Sequence, residues 1–299
     1  MTHQPSTDFS GLSVALATPF TASGDIDMKA FRSLVKHVAE GGADVLVVLG
    51  STGEAATITE SERDPLIAAT LEEARGKKVV AGTGHNSTRQ TVAWTRRAQE
   101  LGAHGALIVT PFYNKPTPQG LVAHFRAAAD AAPGLPFIVY NVPGRTGLNL
   151  SPAALQLLWQ NEQVVAVKES SGNVAQISEV ARALPAGKRL LSGDDNLALA
   201  SIAVGASGLV SVLGNMIPKE TKQLVDAALA GRREEAITLN NRLLPLIDAL
   251  FVESNPIPLK AGLQMMGLGG DVVRLPLVPA GEATRARIRE ALALAGIRS

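Results

Sequence analysis

A lysine, two tyrosines and an adjacent serine–threonine pair are the residues of this sequence best suited to covalent chemistry, and the lysine gives the strongest signal. Lys168 ends the short β-branched run 164–168, which is typical of a buried strand in a parallel sheet. Because side chains alternate along a strand, Lys168 shares a face with Val164 and Ala166, where burial disfavours a charged ammonium. A neutral lysine can attack a ketone and form a Schiff base. The alternative is a structural lysine, whose aliphatic stem is buried while its ammonium reaches solvent beyond the end of the strand.

The elements that would position this lysine follow a regular order. Short apolar runs alternate with stretches of helical period, such as 28–40 and 62–75, as far as about residue 230, and this alternation predicts a parallel sheet. Eight strands are predicted, at 12–17, 45–49, 79–81, 106–109, 137–140, 164–168, 190–192 and 208–212. Eight such units fit a closed (β/α)8 TIM barrel. An open doubly wound sheet would carry a glycine-rich fingerprint after its first strand, where Thr18-Pro19-Phe20-Thr21 stands instead.

After Pro218 the pattern changes to helices alone, predicted at 220–230, 233–251, 256–266 and 282–295. The first of these can close the barrel, and the others form a C-terminal helical extension. We therefore expect two domains: residues 1–230 as the barrel that carries the active site, and residues 231–299 as a helical domain.

Composition excludes several classes of function. The net charge of +1 and the 4% aromatic content offer no surface for nucleic acid. The chain has no cysteine, which excludes disulfides and thiolate chemistry, and its five histidines are scattered without metal-ligand spacing. The N-terminal segment is polar and no apolar run reaches membrane-spanning length. We expect a cytoplasmic protein that needs no metal or other cofactor and binds neither membrane nor nucleic acid.

In a βα barrel the active site is built where the strands end. Those positions hold hydroxyl, phenol and cationic side chains: Ser51, Thr52, Tyr113, Tyr140, Arg145 and Lys168. The turn 50–54 can receive a carboxylate or can simply cap a helix. Tyr140 can relay protons or serve as an amphipathic rim residue, and Arg145 can bind a carboxylate or remain solvated. Asp194 and Asp195 can be paired acids or helix caps.

Together these residues resemble the dihydrodipicolinate synthase / N-acetylneuraminate lyase family of class I aldolases. The similarity extends over almost the whole chain. Its most specific parts are Gly50-Ser51-Thr52-Gly53-Glu54, Tyr140-Asn141-Val142-Pro143, Lys168-Glu169-Ser170-Ser171-Gly172 and Gly193-Asp194. The resemblance implies a (β/α)8 barrel with a C-terminal helical domain, assembled as a homotetramer that is a dimer of dimers.

The resemblance also implies a role for each candidate residue. Lys168 would form the Schiff base with pyruvate, and the hydroxyls of Ser51 and Thr52 would hold its carboxylate. Tyr140, Ser51 and Tyr113 would form the proton relay, with Tyr113 contributed across a subunit interface. The remaining substrate-binding positions in the expected site are Arg145, Gly193 and Val210.

The segment 140–147 is similar to the synthase form of the family, in which the residue at Arg145 binds the carboxylate of aspartate semialdehyde. The implied reaction is the condensation of pyruvate with aspartate semialdehyde to 4-hydroxy-tetrahydrodipicolinate. Ser51 departs from this form, because the synthases usually carry threonine there and the lyases serine. Two alternatives therefore stay open: another pyruvate-dependent lyase acting on a 2-keto-3-deoxy sugar acid or N-acetylneuraminate, and a pyruvate-binding sensor without turnover.

The resemblance bears on regulation as well. Lysine-inhibited synthases typically use polar and aromatic ligands at positions that correspond here to Ala55, Glu60, Arg63, Gln90 and Phe112. The expected serine, histidines, acid and tyrosine are absent from these positions. We therefore predict weak or absent feedback inhibition by lysine.

Overall fold

The computed structural model describes residues 8–297, and its centre is a closed barrel of eight parallel strands. The strands are β1 (Gly11–Ala15), β2 (Val45–Val48), β3 (Lys78–Gly82), β4 (Gly105–Val109), β5 (Phe137–Asn141), β6 (Val164–Glu169), β7 (Arg189–Ser192) and β8 (Gly208–Ser211). Each strand pairs with the next one in the chain, and β1 also pairs with β8, which closes the barrel. The predicted (β/α)8 fold is confirmed.

Helices cover the outside of the barrel and continue beyond it. They are α1 (Met28–Glu40), α2 (Glu60–Glu73), α3 (Thr88–Glu100), α4 (Pro118–Ala131), α5 (Pro143–Thr146), α6 (Pro152–Leu158), α7 (Val174–Arg182), α8 (Ala198–Ala203), α9 (Pro218–Leu229), α10 (Arg233–Ala249), α11 (Ile257–Met265) and α12 (Glu282–Leu294). The last three form the C-terminal helical extension, in which α10 and α11 both pack on α12. No helix within residues 8–297 is long and apolar enough to cross a membrane.

Several element boundaries differ from the sequence prediction by one or two residues, and two of these differences have identifiable reasons. Strand β1 ends at Ala15 and not at Ala17, because the Ala17 N–H donates to the side chain of Asn215 (3.0 Å) instead of to a neighbouring strand. Helix α2 begins at Glu60, two residues earlier than expected. Thr59 and Glu62 form a capping box there, in which the Thr59 N–H donates to the Glu62 carboxylate (2.8 Å).

The C-terminal extension is attached to the barrel by a forked ion pair. Arg274 donates through both terminal guanidinium nitrogens to the Glu62 carboxylate, at 2.8 and 2.5 Å. Its Nε atom donates to the carbonyl of Gly24 (2.9 Å). The hydrogen bonds from Arg274 and from Thr59 hold the pKa of Glu62 at about 2, although burial opposes this shift. The pair is therefore intact in its ionised form throughout the neutral range.

Replacing Glu62 by Gln should produce a pH-dependent loss of stability. A carboxylate whose pKa is lower in the folded state stabilises the fold above its ordinary pKa of 4.5, and this contribution disappears as the pH falls through about 2. We expect Glu62→Gln to lower the free energy of unfolding by about 1–3 kcal/mol at pH 7. Urea denaturation of both proteins should show this difference shrinking below pH 4.5. A difference that is the same at pH 7 and pH 3 would contradict the assignment.

Candidate active site

Lys168 and Tyr140 lie side by side at the carboxyl end of the barrel. Strands β5 and β6 are paired so that Tyr140 stands opposite Lys168. Tyr140 is only 6% exposed and Lys168 only 5%. The Lys168 Nζ atom lies 4.1 Å from the centroid of the Tyr140 ring. The amine is thus enclosed beside a phenol at the mouth of the barrel, which is the placement that Schiff-base chemistry requires.

A buried carboxylate next to the lysine fixes the register of these two strands. Glu169 accepts hydrogen bonds from the Asn141 side-chain amide (3.0 Å) and from the Ser171 N–H (2.7 Å). Asn141 is the residue opposite Glu169 across the β5–β6 pair. Because a buried carboxylate is costly unless it is hydrogen-bonded, this contact disfavours a shifted register and keeps Tyr140 and Lys168 aligned.

Gly193 and Val210 lie close to Lys168 and Tyr140 in different ways. Gly193 follows β7, and a methyl group added there would overlap Ser170 Oγ and would lie 3.0 Å from Lys168 Cε. Glycine is needed at this point because the side chains of Ser170 and Lys168 pass so close to the backbone. Val210, in β8, is fully buried and belongs to the apolar cluster that includes Tyr140.

The two acids that follow Gly193 have different environments, and neither side chain caps the helical turn that they begin. Burial raises the pKa of Asp194 to about 6, and the nearby Lys168 charge opposes this shift. Asp195 is fully buried and accepts from the Val212 N–H (2.8 Å) and from the Ser211 hydroxyl. Asp195 therefore joins the ends of β7 and β8, whereas Asp194 places a titratable group near the amine.

Ser51 and Thr52 lie in a short 3-10 turn, Ser51–Gly53, directly after β2. The turn packs tightly against the end of β1: the Thr18 hydroxyl donates to the Gly53 carbonyl (2.9 Å), and a Cβ atom at Gly53 would lie 3.0 Å from the Leu16 carbonyl oxygen. A turn of this kind can offer hydroxyl and N–H donors to a carboxylate.

The same turn is held from its other side by a buried ion pair. Glu54 follows the turn in a left-handed conformation (φ 54°), and its carboxylate contacts the Nζ atom of Lys260 in α11. The Lys260 and Glu54 side chains are only 1% and 2% exposed. Lys260 also donates to the Val272 carbonyl (2.8 Å), and the Arg274 N–H donates to Glu54 (3.0 Å). Burial lowers the pKa of Lys260 to about 8, and Glu54 opposes this shift.

Arg145 and Thr52 come from different loops and contact one common residue, Asn255. The Asn255 Nδ2 atom donates to Thr52 Oγ1 (2.9 Å), and Arg145 Nη2 donates to the Asn255 carbonyl (2.9 Å). Arg145 lies in α5 and is exposed at the rim of the barrel. The two predicted carboxylate-binding groups are therefore neighbours.

Tyr113 is the candidate that a single chain does not bring into the pocket. It lies in the loop after β4 with a φ of 71° and is 87% exposed. Its backbone N–H donates to the carbonyl of Thr146 (3.1 Å), which attaches this loop to the end of α5. Its part in the proton relay stays a prediction that needs a second subunit.

Three residues that shape the site were not among the predicted site residues: Glu54, Asn255 and Lys260. Glu54 lies in the segment 50–54 that the resemblance singled out, yet no sequence pattern pairs it with Lys260, because the two meet only after the extension docks. Within residues 8–297, no group of three or more histidine, aspartate or glutamate side chains is arranged to hold a metal ion.

Comparisons with known proteins agree with this geometry. The family model described as the dihydrodipicolinate synthetase family matches residues 8–295. The chain belongs to this family. A 4-hydroxy-tetrahydrodipicolinate synthase from Citrifermentans bemidjiense is 45% identical over 281 residues, which are 94% of this chain and 96% of the relative.

Solved structures of the family superpose closely on the chain. The chloride-inhibited dihydrodipicolinate synthase of Acinetobacter baumannii, complexed with pyruvate, gives a TM-score of 0.94 at 40% identity and covers 97% of this chain and 100% of that one. The lysine-bound enzyme of Cyanidioschyzon merolae gives a TM-score of 0.93 at 40% identity and covers 97% and 99%.

Replacing Gly193 by Ala should disturb the surroundings of Lys168. The new methyl group would overlap Ser170 Oγ and lie 3.0 Å from Lys168 Cε, so both side chains must shift, and displacing a reacting group from its productive geometry lowers the rate. We expect kcat/KM for pyruvate to fall at least tenfold, to an extent set by how far the side chain moves. Gly281→Ala is the matched control, because open space surrounds its Cβ position. Equal activity of the two variants would show that the lysine does not need this space.

Proposed function

We propose that this chain condenses pyruvate with aspartate 4-semialdehyde to 4-hydroxy-tetrahydrodipicolinate, as a lyase of lysine and diaminopimelate biosynthesis that forms a Schiff base on Lys168. The observation that carries the proposal is the enclosed Lys168 amine 4.1 Å from the centroid of the Tyr140 ring, at the mouth of the barrel. The membership of the dihydrodipicolinate synthetase family and the 45% identity to a 4-hydroxy-tetrahydrodipicolinate synthase support the choice of substrates.

The first half-reaction uses the lysine and the phenol. The Lys168 amine, once it has lost a proton, attacks the pyruvate ketone carbon, and loss of water from the adduct leaves an imine. The hydroxyl of Thr52, together with Ser51, holds the pyruvate carboxylate on the 3-10 turn. Tyr140, adjacent to the amine, accepts and returns protons with Ser51 and Tyr113. Loss of a methyl proton from the imine then yields an enamine.

The second half-reaction joins the two substrates. The enamine carbon attacks the aldehyde carbon of aspartate semialdehyde, whose carboxylate is bound by Arg145. The amino group of the extended chain then attacks the imine carbon, which closes the ring and releases Lys168 as the free amine. No metal or organic cofactor takes part in these steps. The groups that bind the two carboxylates, Thr52 and Arg145, contact the common residue Asn255, which supports adjacent subsites for the two substrates.

The relay requires a second subunit, and we propose that the enzyme is a cytoplasmic homotetramer built as a dimer of dimers. The support is Tyr113, whose large aromatic side chain is 87% exposed in a single chain. Tyrosine is enriched at protein–protein interfaces, which supports burial of this side chain against a second subunit. Sedimentation equilibrium, compared between the wild type and Tyr113→Ala, measures both the size of the assembly and the dependence on this residue.

Borohydride trapping tests the covalent step. With pyruvate present, borohydride reduces the imine and leaves a stable adduct on the lysine, so mass spectrometry of the digested protein identifies the residue. We expect the adduct on Lys168 and none after Lys168→Ala. The matched control is Lys188→Ala, since Lys188 precedes β7 at the opposite end of the barrel and should leave labelling unchanged. Labelling that persists in Lys168→Ala would assign the chemistry to another lysine.

The same preparation tests the second substrate. In a pyruvate-consumption assay, aspartate semialdehyde should be turned over, whereas N-acetylmannosamine and short sugar aldehydes should not. Preferred turnover of a sugar aldehyde would indicate a lyase of the family, and imine trapping without turnover of any aldehyde would indicate a sensor.

Feedback inhibition by lysine should be weak or absent. Arg63 is buried, donates to the Gly82 carbonyl (2.5 Å) and stacks with its guanidinium carbon 3.7 Å from the centroid of the Trp94 ring. Burial lowers the pKa of Arg63 to about 10, so it stays a cation at neutral pH. This fixed charge repels the ammonium groups of lysine at one of the positions where inhibited synthases carry ligands.

Calorimetry measures this expectation directly. We expect a dissociation constant for lysine weaker than about 1 mM. The lysine-bound enzyme of Cyanidioschyzon merolae is a positive control for binding. Tight binding accompanied by inhibition would refute the prediction.

A further inference from the structure

Asn255 occupies an unusual place between the barrel and the C-terminal extension. It lies two residues before α11, is 7% exposed, and contacts residues that follow two different strands of the barrel. Its side chain donates to Thr52 Oγ1 and its carbonyl accepts from Arg145. The Oδ1 atom of Asn255 has no hydrogen-bond partner within the described part of the chain. The contact with Thr52 is therefore the interaction that fixes the orientation of this amide.

The direction of the Thr52 hydrogen bond has a chemical consequence. A threonine hydroxyl has one proton to donate and two lone pairs that can accept. Since the Asn255 amide donates to it, the hydroxyl accepts at that contact and keeps its own proton available. A carboxylate can only accept, so it needs a hydroxyl whose proton is free. The contact with Asn255 thus prepares Thr52 as a donor.

We propose that Asn255 is a positioning residue for pyruvate, which acts by directing the Thr52 proton toward the substrate carboxylate. This inference rests on the proposed function, in which Thr52 binds that carboxylate. The carbonyl of Asn255 extends the same role to the second subsite. It accepts from one N–H of Arg145 Nη2 and leaves the other N–H donors of that guanidinium for the carboxylate of the aldehyde substrate.

Replacement of Asn255 by Asp tests the direction of the hydrogen bond with almost no change of shape. The new carboxylate cannot donate, so Thr52 must turn its proton toward position 255 and away from pyruvate. The half-saturating pyruvate concentration should rise about 10- to 100-fold, both in turnover and in borohydride trapping. Asn255→Ala only removes the orienting donor, so the expected rise is smaller, about three- to tenfold. At saturating pyruvate kcat should stay within about twofold, because the reacting groups are unchanged.

The matched control is Asn161→Asp. Asn161 accepts from the Gln163 N–H (3.0 Å) before β6 begins, at the opposite end of the barrel, and an aspartate can accept in the same way. This variant should retain the wild-type pyruvate dependence. A double-mutant cycle adds a second test: in a Thr52→Val background, which has no hydroxyl to orient, Asn255→Ala should cause little further change in pyruvate half-saturation.

The outcomes separate this inference from the proposed function. If wild-type protein forms no imine on Lys168, the proposed function itself is wrong. If the wild type forms the imine and Asn255→Asp shows the wild-type pyruvate half-saturation, the positioning role alone is wrong. A purely structural role is the conclusion if Asn255→Asp lowers kcat and thermal stability while pyruvate half-saturation stays unchanged, or if the effects in the double-mutant cycle are additive.

Discussion

The buried ion pair between Glu54 and Lys260 is the interaction on which the arrangement of this site depends. Both charged groups are buried away from water. Replacing one partner of such a pair typically lowers the free energy of unfolding by about 3–5 kcal/mol, because the other charge is left buried and unpaired. The Lys260 ammonium also lies 3.9 Å from the centroid of the Phe20 ring, a favourable contact for a desolvated cation. Because Glu54 directly follows the 3-10 turn, the pair fixes the Ser51–Gly53 backbone relative to α11. Docking of the extension therefore sets the shape of the turn.

The site consequently has two kinds of support. Lys168, the proposed nucleophile, and the Tyr140 phenol lie on adjacent paired strands, whose register is enforced by the buried Glu169 carboxylate. The proposed carboxylate-binding groups lie on short helical turns that follow β2 and β5, and such connecting segments need contacts from outside to hold a fixed geometry. The extension supplies these contacts through Lys260 and Asn255. A helical segment remote in sequence thereby supports the proposed substrate-binding groups.

The features that could be predicted from the sequence are those that local periodicity and strand order determine. All eight strands could be located because each is a short apolar run, and strand order alone placed Lys168 beside Tyr140. The contact between Asn255 and Thr52 joins positions 203 residues apart, and no periodic pattern encodes it. The early start of α2 was readable from Thr59 and Glu62, whose spacing fits a capping box. The end of β1 could not be predicted from local sequence, because it depends on the side chain of Asn215, which is distant in the chain.

The division between strands and loops also bears on how substrate preference is set. In the proposed mechanism the lysine and the tyrosine on paired strands act on the 2-oxo acid alone, so they do not select the second substrate. That selection is assigned by the proposal to Arg145, which is exposed at the rim and anchored through a backbone carbonyl. A backbone carbonyl persists whatever side chain stands at its position. The anchor of Arg145 is therefore insensitive to the residue type at 255, whereas the hydrogen bond to Thr52 depends on it. Under the proposed function, a change of residue 255 should therefore affect pyruvate binding most and the covalent chemistry on Lys168 least.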